Sequence, residues 1–214
     1  MTIGIIGAGT LGSNLARLFA RSGIAATIAN KRGPESLAPL VAELGPSITA
    51  GNVADAARAD IVVAALRWAD VGKVLGSLPA WDGRIVIDAS NPFEFLEPDS
   101  PDRKDPANPL AAFGLKAADL GGRYSSGIVR EFVPGARLVK AFNTLGAGTL
   151  VKPAPGAGKR VLFYSGDDAE AKHQVRDIIE QTGHFPVDLG ALDVGGPLAS
   201  PPSGPLASLE LIKV

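Results

Sequence analysis

The sequence contains no cysteine, and this absence excludes disulfide bonds, thiolate nucleophiles and cysteine-ligated metal centres. Its two histidines are not closely paired, so we expect no metal site. Neither sign of charge dominates, because the sequence has 21 lysines and arginines and 22 aspartates and glutamates. Non-specific nucleic-acid binders need a clustered excess of positive charge, so we expect no nucleic-acid partner.

Long apolar runs are also missing. No stretch of about 18 consecutive apolar residues occurs, so we expect no transmembrane helix and no membrane partner. The apolar start, residues 1–12, lacks the preceding basic residues of a signal peptide and instead predicts a first strand. With 46% apolar and 20% charged residues, the composition is that of a globular protein, which we expect to be cytoplasmic.

Short apolar runs and segments of helical periodicity alternate over the first 90 residues. The apolar runs, typical of buried parallel strands, are 2–6, 25–29, 61–66 and 84–88. The helical segments between them are 11–22, 37–44, 52–57 and 71–78. This alternation predicts an α/β fold of the Rossmann type, a doubly wound and mostly parallel sheet with helices on both faces.

The rhythm breaks at residue 91, where a proline-rich stretch begins. We expect a long structureless loop over 91–121, whose segment 92–109 is mobile. The predicted elements that follow are a helix at 125–132, strands at 138–142 and 160–165, a helix at 167–182 and a strand at 186–189. The glycine- and proline-rich tail, 195–204, should run over the surface. We expect one domain over 1–214, in which 1–145 form the dinucleotide-binding core and 146–214 complete it.

A glycine-rich loop directly follows the first predicted strand and opens a helix. It matches the pattern G-x-G-x-x-G with Gly7, Ala8, Gly9, Thr10, Leu11 and Gly12. In a dinucleotide fold the first glycine permits the tight turn, the second lets the backbone approach a pyrophosphate, and the third lets the helix pack on the strand. The loop therefore predicts a dinucleotide site, and the alternative is a glycine turn that only packs tightly.

The second strand ends in Asn30, Lys31 and Arg32, at the place where NAD-binding proteins usually carry an acidic residue. An arginine fork suits a phosphate in both charge and geometry, so this turn favours the 2′-phosphate of NADP. The alternative is an ordinary solvated basic turn.

Two asparagines, Asn91 and Asn143, follow the ends of predicted strands, where ligands bind in doubly wound folds. Their carboxamides are candidates for bonds to a nicotinamide or to an acceptor carbonyl, and the alternative is that each only opens a turn. His184 follows a helix-ending glycine and is a weak candidate for a proton relay, whereas His173 is expected on a solvated helix face. No catalytic residue is identified.

Trp68 and Trp81 are the two tryptophans of the chain. Either could offer a stacking platform to an acceptor ring, although packing within the protein is the more common use of a tryptophan.

Four groups of residues carry a resemblance to a known family. They are 5–12 with 30–32, the Asp-Ala-Ser-Asn-Pro run at 88–92, the Val-Lys-Ala-Phe-Asn-Thr run at 139–144, and 165–168 with Ala171 and Lys172. Together they resemble the NADPH-dependent reductases of the deazaflavin coenzyme F420, and the family is also similar to the nucleotide-binding domain of the STEAP ferric reductases. The Lys-Ala-Phe-Asn-Thr run is the most specific part, because generic dinucleotide folds lack it.

The resemblance implies an NADP(H)-dependent oxidoreductase that passes a hydride between NADPH and a small-molecule acceptor, a deazaflavin or a flavin. It implies that Thr10 and Leu11 contact the pyrophosphate and that Asn30 and Arg32 hold the 2′-phosphate. Near the ribose and nicotinamide it places Ala65, Leu66, Ser90, Asn91 and Asn143. Two other functions stay open: a module that senses NADP(H) without turnover, and a reductase of an imine or carbonyl. The oligomeric state is also open, a homodimer included.

Overall fold

A computed structural model describes all residues, 1–214, and its centre is one mostly parallel β-sheet. The strands are β1 (Ile3–Ile6), β2 (Ala26–Ala29), β3 (Ile48–Gly51), β4 (Ile61–Ala64), β5 (Ile85–Asp88), β6 (Phe93–Phe95), β7 (Leu115–Ala117), β8 (Arg137–Ala141), β9 (Lys159–Gly166), β10 (Phe185–Asp188) and β11 (Ile212–Lys213). Of these, β6 and β7 form a separate two-stranded ribbon.

Eight α-helices connect and cover the strands. They are α1 (Thr10–Arg21), α2 (Ala38–Leu44), α3 (Val53–Ala57), α4 (Trp68–Leu75), α5 (Ser125–Phe132), α6 (Ala147–Leu150), α7 (Ala169–Gln181) and α8 (Leu192–Ala199). Short 3-10 turns lie at Pro34–Leu37, Pro101–Lys104 and Ala111–Phe113. No helix combines the length and the apolar character needed to cross a bilayer.

The strand order is β10-β9-β8-β5-β4-β1-β2-β3, and every pair from β8 to β3 is parallel. Strand β9 runs antiparallel to β8, and β10 runs parallel to β9. The chain builds outward from β1 toward β3 and then crosses back to β4, so the order reverses between β1 and β4. In such sheets ligands bind outside the carboxyl ends of the strands at this reversal.

Apolar side chains cover both faces of the sheet, because successive strand residues point to opposite sides. On one face Ile5 and Val139 pack in a cluster with Phe19 of α1 and with α7. On the other face Val86 and Leu138 pack with α4 and α5. Helices on both faces of a mostly parallel sheet confirm the predicted fold class.

The proline-rich segment after residue 91 is not structureless, so that prediction was wrong. Strands β6 and β7 pair antiparallel, with Phe93 opposite Ala117 and Phe95 opposite Leu115. The guanidinium of Arg103 donates to the carbonyls of Leu96 and Glu97 at 2.9 and 2.7 Å and holds the segment together. Strands of three residues, separated by nineteen others, leave no periodic signal in the sequence.

The tail over 195–204 does not run over the surface either. It begins inside α8, where Gly195 and Gly196 are buried. A Cβ at Gly195 would lie 2.5 Å from the Cβ of Ser165 on β9, so the glycine permits close packing of helix on strand. The glycines and prolines that predicted a loop instead allow contact between helix and sheet, and strands β3 and β11 and helix α6 were not predicted.

Candidate functional site

The glycine-rich loop joins β1 to α1 in the conformation that its pattern predicts. Gly7 has φ +107°, and a Cβ there would overlap the carbonyl oxygen of Ala65. A Cβ at Gly12 would overlap the carbonyl oxygen of Gly7, so α1 can approach the turn only with glycine at this position. Both positions therefore require glycine for packing and backbone geometry.

Gly9 differs from its two neighbours in the pattern. It is the N-cap residue of α1, and a Cβ there would meet nothing within 4 Å. No side chain caps the helix, so the first N–H groups of α1, from Thr10, Leu11 and Gly12, lack intrahelical partners. The open space lies beside unpaired N–H groups at the positive end of the helix dipole, an arrangement that binds phosphates. The pyrophosphate of a dinucleotide fits this position.

A cleft of about 330 Å³ extends from this loop between α1 and the segment after β2. Its lining residues are Ala8, Ser13, Arg17, Arg32, Ser36, Leu37, Pro39, Leu40 and Glu43. Arg32 is exposed at this cleft, as a phosphate-binding arginine would be. Ser13 and Arg17 were not predicted as site residues, although their spacing of four residues places both on one face of α1.

Asn30 organises the turn that carries Arg32. Its Oδ1 accepts from the backbone N–H of Arg32 at 2.7 Å and from Ser36 Oγ at 3.2 Å, while its Nδ2 lies 3.0 Å from Ser36 Oγ. Lys31, between them, is exposed to solvent. Within the protein, Asn30 thus shapes the backbone of the basic turn, a local role typical of asparagine.

Ala65 and Leu66 follow β4 directly and touch the glycine-rich loop. The Cβ of Ala65 lies 3.3 Å from the position of a Cβ at Gly12, and Leu66 Cδ2 lies 3.4 Å from the corresponding position at Gly7. The backbone N–H of Ala65 donates to Ile6 at 2.9 Å, which ties the end of β4 to the end of β1. The structure therefore brings these two predicted site residues against the loop.

Asn91 and Asn143 meet in a reciprocal pair of hydrogen bonds. Asn91 Nδ2 donates to the Asn143 carbonyl at 2.9 Å, and Asn143 Nδ2 donates to Asn91 Oδ1 at 3.0 Å and to the Ala199 carbonyl at 2.9 Å. Phe142, the buried residue before Asn143, has φ +62°, a left-handed conformation that costs a bulky residue energy. The chain thus bends sharply at the end of β8, which is where Asn143 enters the site.

Beneath this pair lies a fully buried ionic cluster. Lys140 and Asp88 are register partners on β8 and β5, both about 1% exposed, with Nζ 3.0 Å from Oδ2. Ser90 donates to Asp88 Oδ1 through its N–H at 3.0 Å and its Oγ at 2.6 Å, and Ser126 Oγ on α5 donates to Oδ2 at 3.0 Å. This cluster was not predicted, although Asp88 and Lys140 fall within the segments that carry the resemblance.

The histidines and tryptophans lie away from these groups. His173 is exposed beside Arg176 and Asp177, as expected, while His184 is buried and its Nδ1 lies 2.9 Å from Thr182 Oγ1. Burial lowers the pKa of His184, and hydrogen bonds with the Leu150 and Thr182 backbone partly oppose this shift. None of these partners is a predicted site residue.

Trp81 is buried in the core, and Trp68 packs against the same cluster. Both contacts are of the packing kind. No group of three or more metal-binding side chains is arranged to hold a metal ion.

Five adjacent strand ends carry the predicted site residues in spatial order. Asn30 follows β2, the glycine-rich loop follows β1, Ala65 follows β4, Ser90 and Asn91 follow β5, and Asn143 follows β8. Four inter-strand spacings of about 4.8 Å give this row a length of about 19 Å. An extended ligand with phosphates near its middle fits along such an edge, across the point where the strand order reverses.

Comparison with known proteins supports this interpretation. Residues 2–92 match the family model described as NADP oxidoreductase, coenzyme F420-dependent. A hypothetical protein from Sinorhizobium meliloti has a similar structure, with 42% identity, a TM-score of 0.86, and coverage of 100% of this chain and 97% of the other. A proposed F420-dependent NADP reductase from Arthrobacter sp. FB24 shares 27% identity with a TM-score of 0.66, over 90% of this chain and 86% of the other.

A curated relative, metalloreductase STEAP3 from Rattus norvegicus, is 28% identical over 192 residues. The match covers 89% of this chain but 34% of the relative, so the chain spans about a third of that protein's length. The segment matched by the family model contains the glycine-rich loop, the basic turn and the ends of β4 and β5. Over residues 2–92, a little under half of its length, the chain is similar to the coenzyme F420-dependent NADP oxidoreductases.

Proposed function

We propose that this chain binds NADP(H) along the carboxyl edge of the sheet and transfers a hydride between the cofactor and a ring-shaped acceptor, a deazaflavin or a flavin. The observation that carries the proposal is the difference between the three glycines of the loop. Packing requires Gly7 and Gly12, whereas Gly9 faces open space beside the unpaired N–H groups of α1. Steric packing alone gives no reason for a glycine at that position, and an approaching phosphate does.

The 2′-phosphate of the cofactor is assigned to the basic turn after β2. Lys31 and Arg32 are exposed there, and the Asn30 side chain holds the backbone that presents them. Because no acidic residue ends β2, no carboxylate at this point repels a 2′-phosphate. Arginine can bind a phosphate with two parallel hydrogen bonds, which favours NADP(H) over NAD(H).

The ribose and nicotinamide are assigned to the opposite end of the row. Ala65 and Leu66 would supply an apolar wall, and Ser90, Asn91 and Asn143 would supply the polar groups beside it. Asn143 Oδ1 is buried and has no hydrogen-bond partner within the protein. An N–H donor of a ligand would satisfy this acceptor, since a buried acceptor without a partner is costly.

The cofactor supplies the hydride chemistry, and the protein supplies orientation and exclusion of water. Hydride transfer between two ring systems depends on holding the rings at reacting distance and needs no general acid or base. The nicotinamide end agrees with this requirement, because the polar groups assigned to it are amides and a hydroxyl and the two histidines of the chain lie elsewhere. A deazaflavin or flavin is therefore the class of acceptor that this set of side chains serves best.

Spectrophotometric turnover tests the proposal. The purified chain is mixed with NADPH and, in separate reactions, with coenzyme F420, FMN, FAD and a cyclic imine. The proposal expects NADPH oxidation with a deazaflavin or flavin and none in the reaction without acceptor. Turnover with the imine alone would assign a different reductase class, and tight NADPH binding with no turnover would indicate a sensor module.

A further inference from the structure

The buried pair of Lys140 and Asp88 has no part in the function described so far, yet it lies directly under the predicted nicotinamide end. Both side chains are about 1% exposed. Burying two opposite charges costs more free energy than burying two apolar side chains of equal volume. A buried ion pair is therefore weak evidence for a role in stability. Its contacts show instead what it holds in place.

Most of the hydrogen bonds of this pair converge on Ser90. Asp88 Oδ1 accepts from both the N–H and the Oγ of Ser90, and Lys140 Nζ donates to the Ser90 carbonyl at 2.5 Å. The remaining contact, from Ser126 Oγ to Asp88 Oδ2, joins the cluster to α5. Three polar atoms of one residue are thus held by a buried anion and a buried cation, which fixes both the position and the rotation of that peptide.

The fixed peptide leads directly into the asparagine pair. Asn91 follows Ser90 and exchanges hydrogen bonds with Asn143, whose Nδ2 also donates to the Ala199 carbonyl. This arrangement uses both N–H bonds of the Asn143 amide and leaves its Oδ1 buried without a partner. The orientation of that free acceptor therefore depends on where Ser90 and Asn91 are held.

We propose that Lys140 and Asp88 are positioning residues for the nicotinamide end of the cofactor. They fix Ser90, and through the Asn91–Asn143 pair they hold the Asn143 acceptor toward the N–H donors of the nicotinamide carboxamide. The inference rests on the proposed function, because it assigns a partner to the same site. It adds that binding of the nicotinamide, unlike binding of the phosphates, depends on a buried ion pair.

Calorimetric titration with two ligands tests this directly. NADPH carries the nicotinamide, and 2′-phospho-ADP-ribose carries every other part of the cofactor's binding surface. The variant Lys140→Met removes the donor to Ser90 and keeps the length of the side chain. The double variant Asp88→Asn, Lys140→Met also removes the unpaired buried charge, and substitutions of this kind often restore stability.

Arg84→Met is the matched control. Arg84 precedes β5 at its opposite end and donates to the carbonyls of Trp81 at 2.8 Å, Ala57 at 3.0 Å and Ala80. Its loss weakens the same strand without touching Ser90. A general loss of stability would therefore appear in this variant as well.

The inference predicts that NADPH binding weakens by about tenfold in both Lys140 variants, the loss expected when a buried acceptor, Asn143 Oδ1, no longer receives the N–H of the nicotinamide carboxamide. Binding of 2′-phospho-ADP-ribose should stay unchanged in both, and Arg84→Met should bind both ligands as the unmodified chain does. Equal weakening of both ligands, or recovery of full NADPH affinity in the double variant, would show that the pair only supports the fold and would overturn the inference. If the unmodified chain binds neither ligand, the proposed function itself fails.

Discussion

The substitution Gly9→Val tests whether the open space beside Gly9 serves the cofactor, because packing within the protein does not use that space. A side chain at Gly9 meets nothing within 4 Å and its backbone, with φ −76°, is open to any residue. The expected cost to the fold is therefore the lower preference of valine as an N-cap, about 1 kcal/mol. For a chain of this length that corresponds to a fall in Tm of about 2–4 °C.

The effect on binding should be far larger. The branched side chain would occupy the volume assigned to the pyrophosphate and keep it from the N–H groups of α1. Losing two charge-assisted hydrogen bonds of about 1.5 kcal/mol each weakens NADPH about 150-fold. Calorimetric titration measures this, and circular dichroism confirms that the variant is folded.

Gly12→Ala provides the contrast on the same loop. A Cβ there overlaps the Gly7 carbonyl, so α1 must shift, at a cost of about 3 kcal/mol or a fall in Tm of about 6–12 °C. Gly9→Val should thus fold normally but bind NADPH weakly, whereas Gly12→Ala should be destabilised. Undiminished NADPH affinity in a folded Gly9→Val protein would refute the assignment of the phosphate site.

Three further outcomes follow from the structure. Because burial lowers the pKa of His184, the unfolded chain takes up a proton below pH of about 6.5 that the folded chain does not. The free energy of unfolding should therefore fall as pH drops from 7.5 to 5.5, by at most about 1.4 kcal/mol per pH unit. The urea midpoint of His184→Gln should fall less over the same pH range. Asp168→Ala, which removes the 2.7 Å bond from the Ala171 N–H at the start of α7, should cost about 1 kcal/mol in chemical unfolding, whereas Asp168→Asn should cost less. Segment 92–109 should gain hydrogen-exchange protection when NADPH or an acceptor binds, and equal protection without ligand would show that it is a rigid part of the fold.

The fold class was predictable because the first 90 residues carry strong local signals. Runs of β-branched and aliphatic residues gave the strands at 61–66 and 84–88, and the helix at 125–132 has the bounds of α5. Strand β3 was missed because Thr49 is exposed and the segment of four residues contains no continuous apolar run. Its position is decided by pairing with β2, which is a contact distant along the chain.

The glycine-rich loop was predictable because backbone geometry demands a particular residue type there. Gly7, Gly9 and Gly12 could be assigned separate tasks from their spacing, and the structure gives each glycine a distinct environment. Lys140 and Asp88 could not be found in this way, because their pairing depends on the register between β5 and β8. Asp88 and Lys140 lie 52 positions apart in the chain, so their contact leaves no local pattern in the sequence.

The central claim is that this site selects a dinucleotide by its 2′-phosphate, and the most direct test is calorimetric titration of the unmodified chain and Arg32→Ala with NADPH and with NADH. One charge-assisted hydrogen bond to the phosphate is worth about 1.5–3 kcal/mol, so the variant should bind NADPH about ten- to 150-fold more weakly. NADH has no group for this arginine to hold, and its affinity should not change. Equal affinities of the unmodified chain for the two cofactors at low salt would contradict the account and leave Lys31 and Arg32 as an ordinary solvated turn.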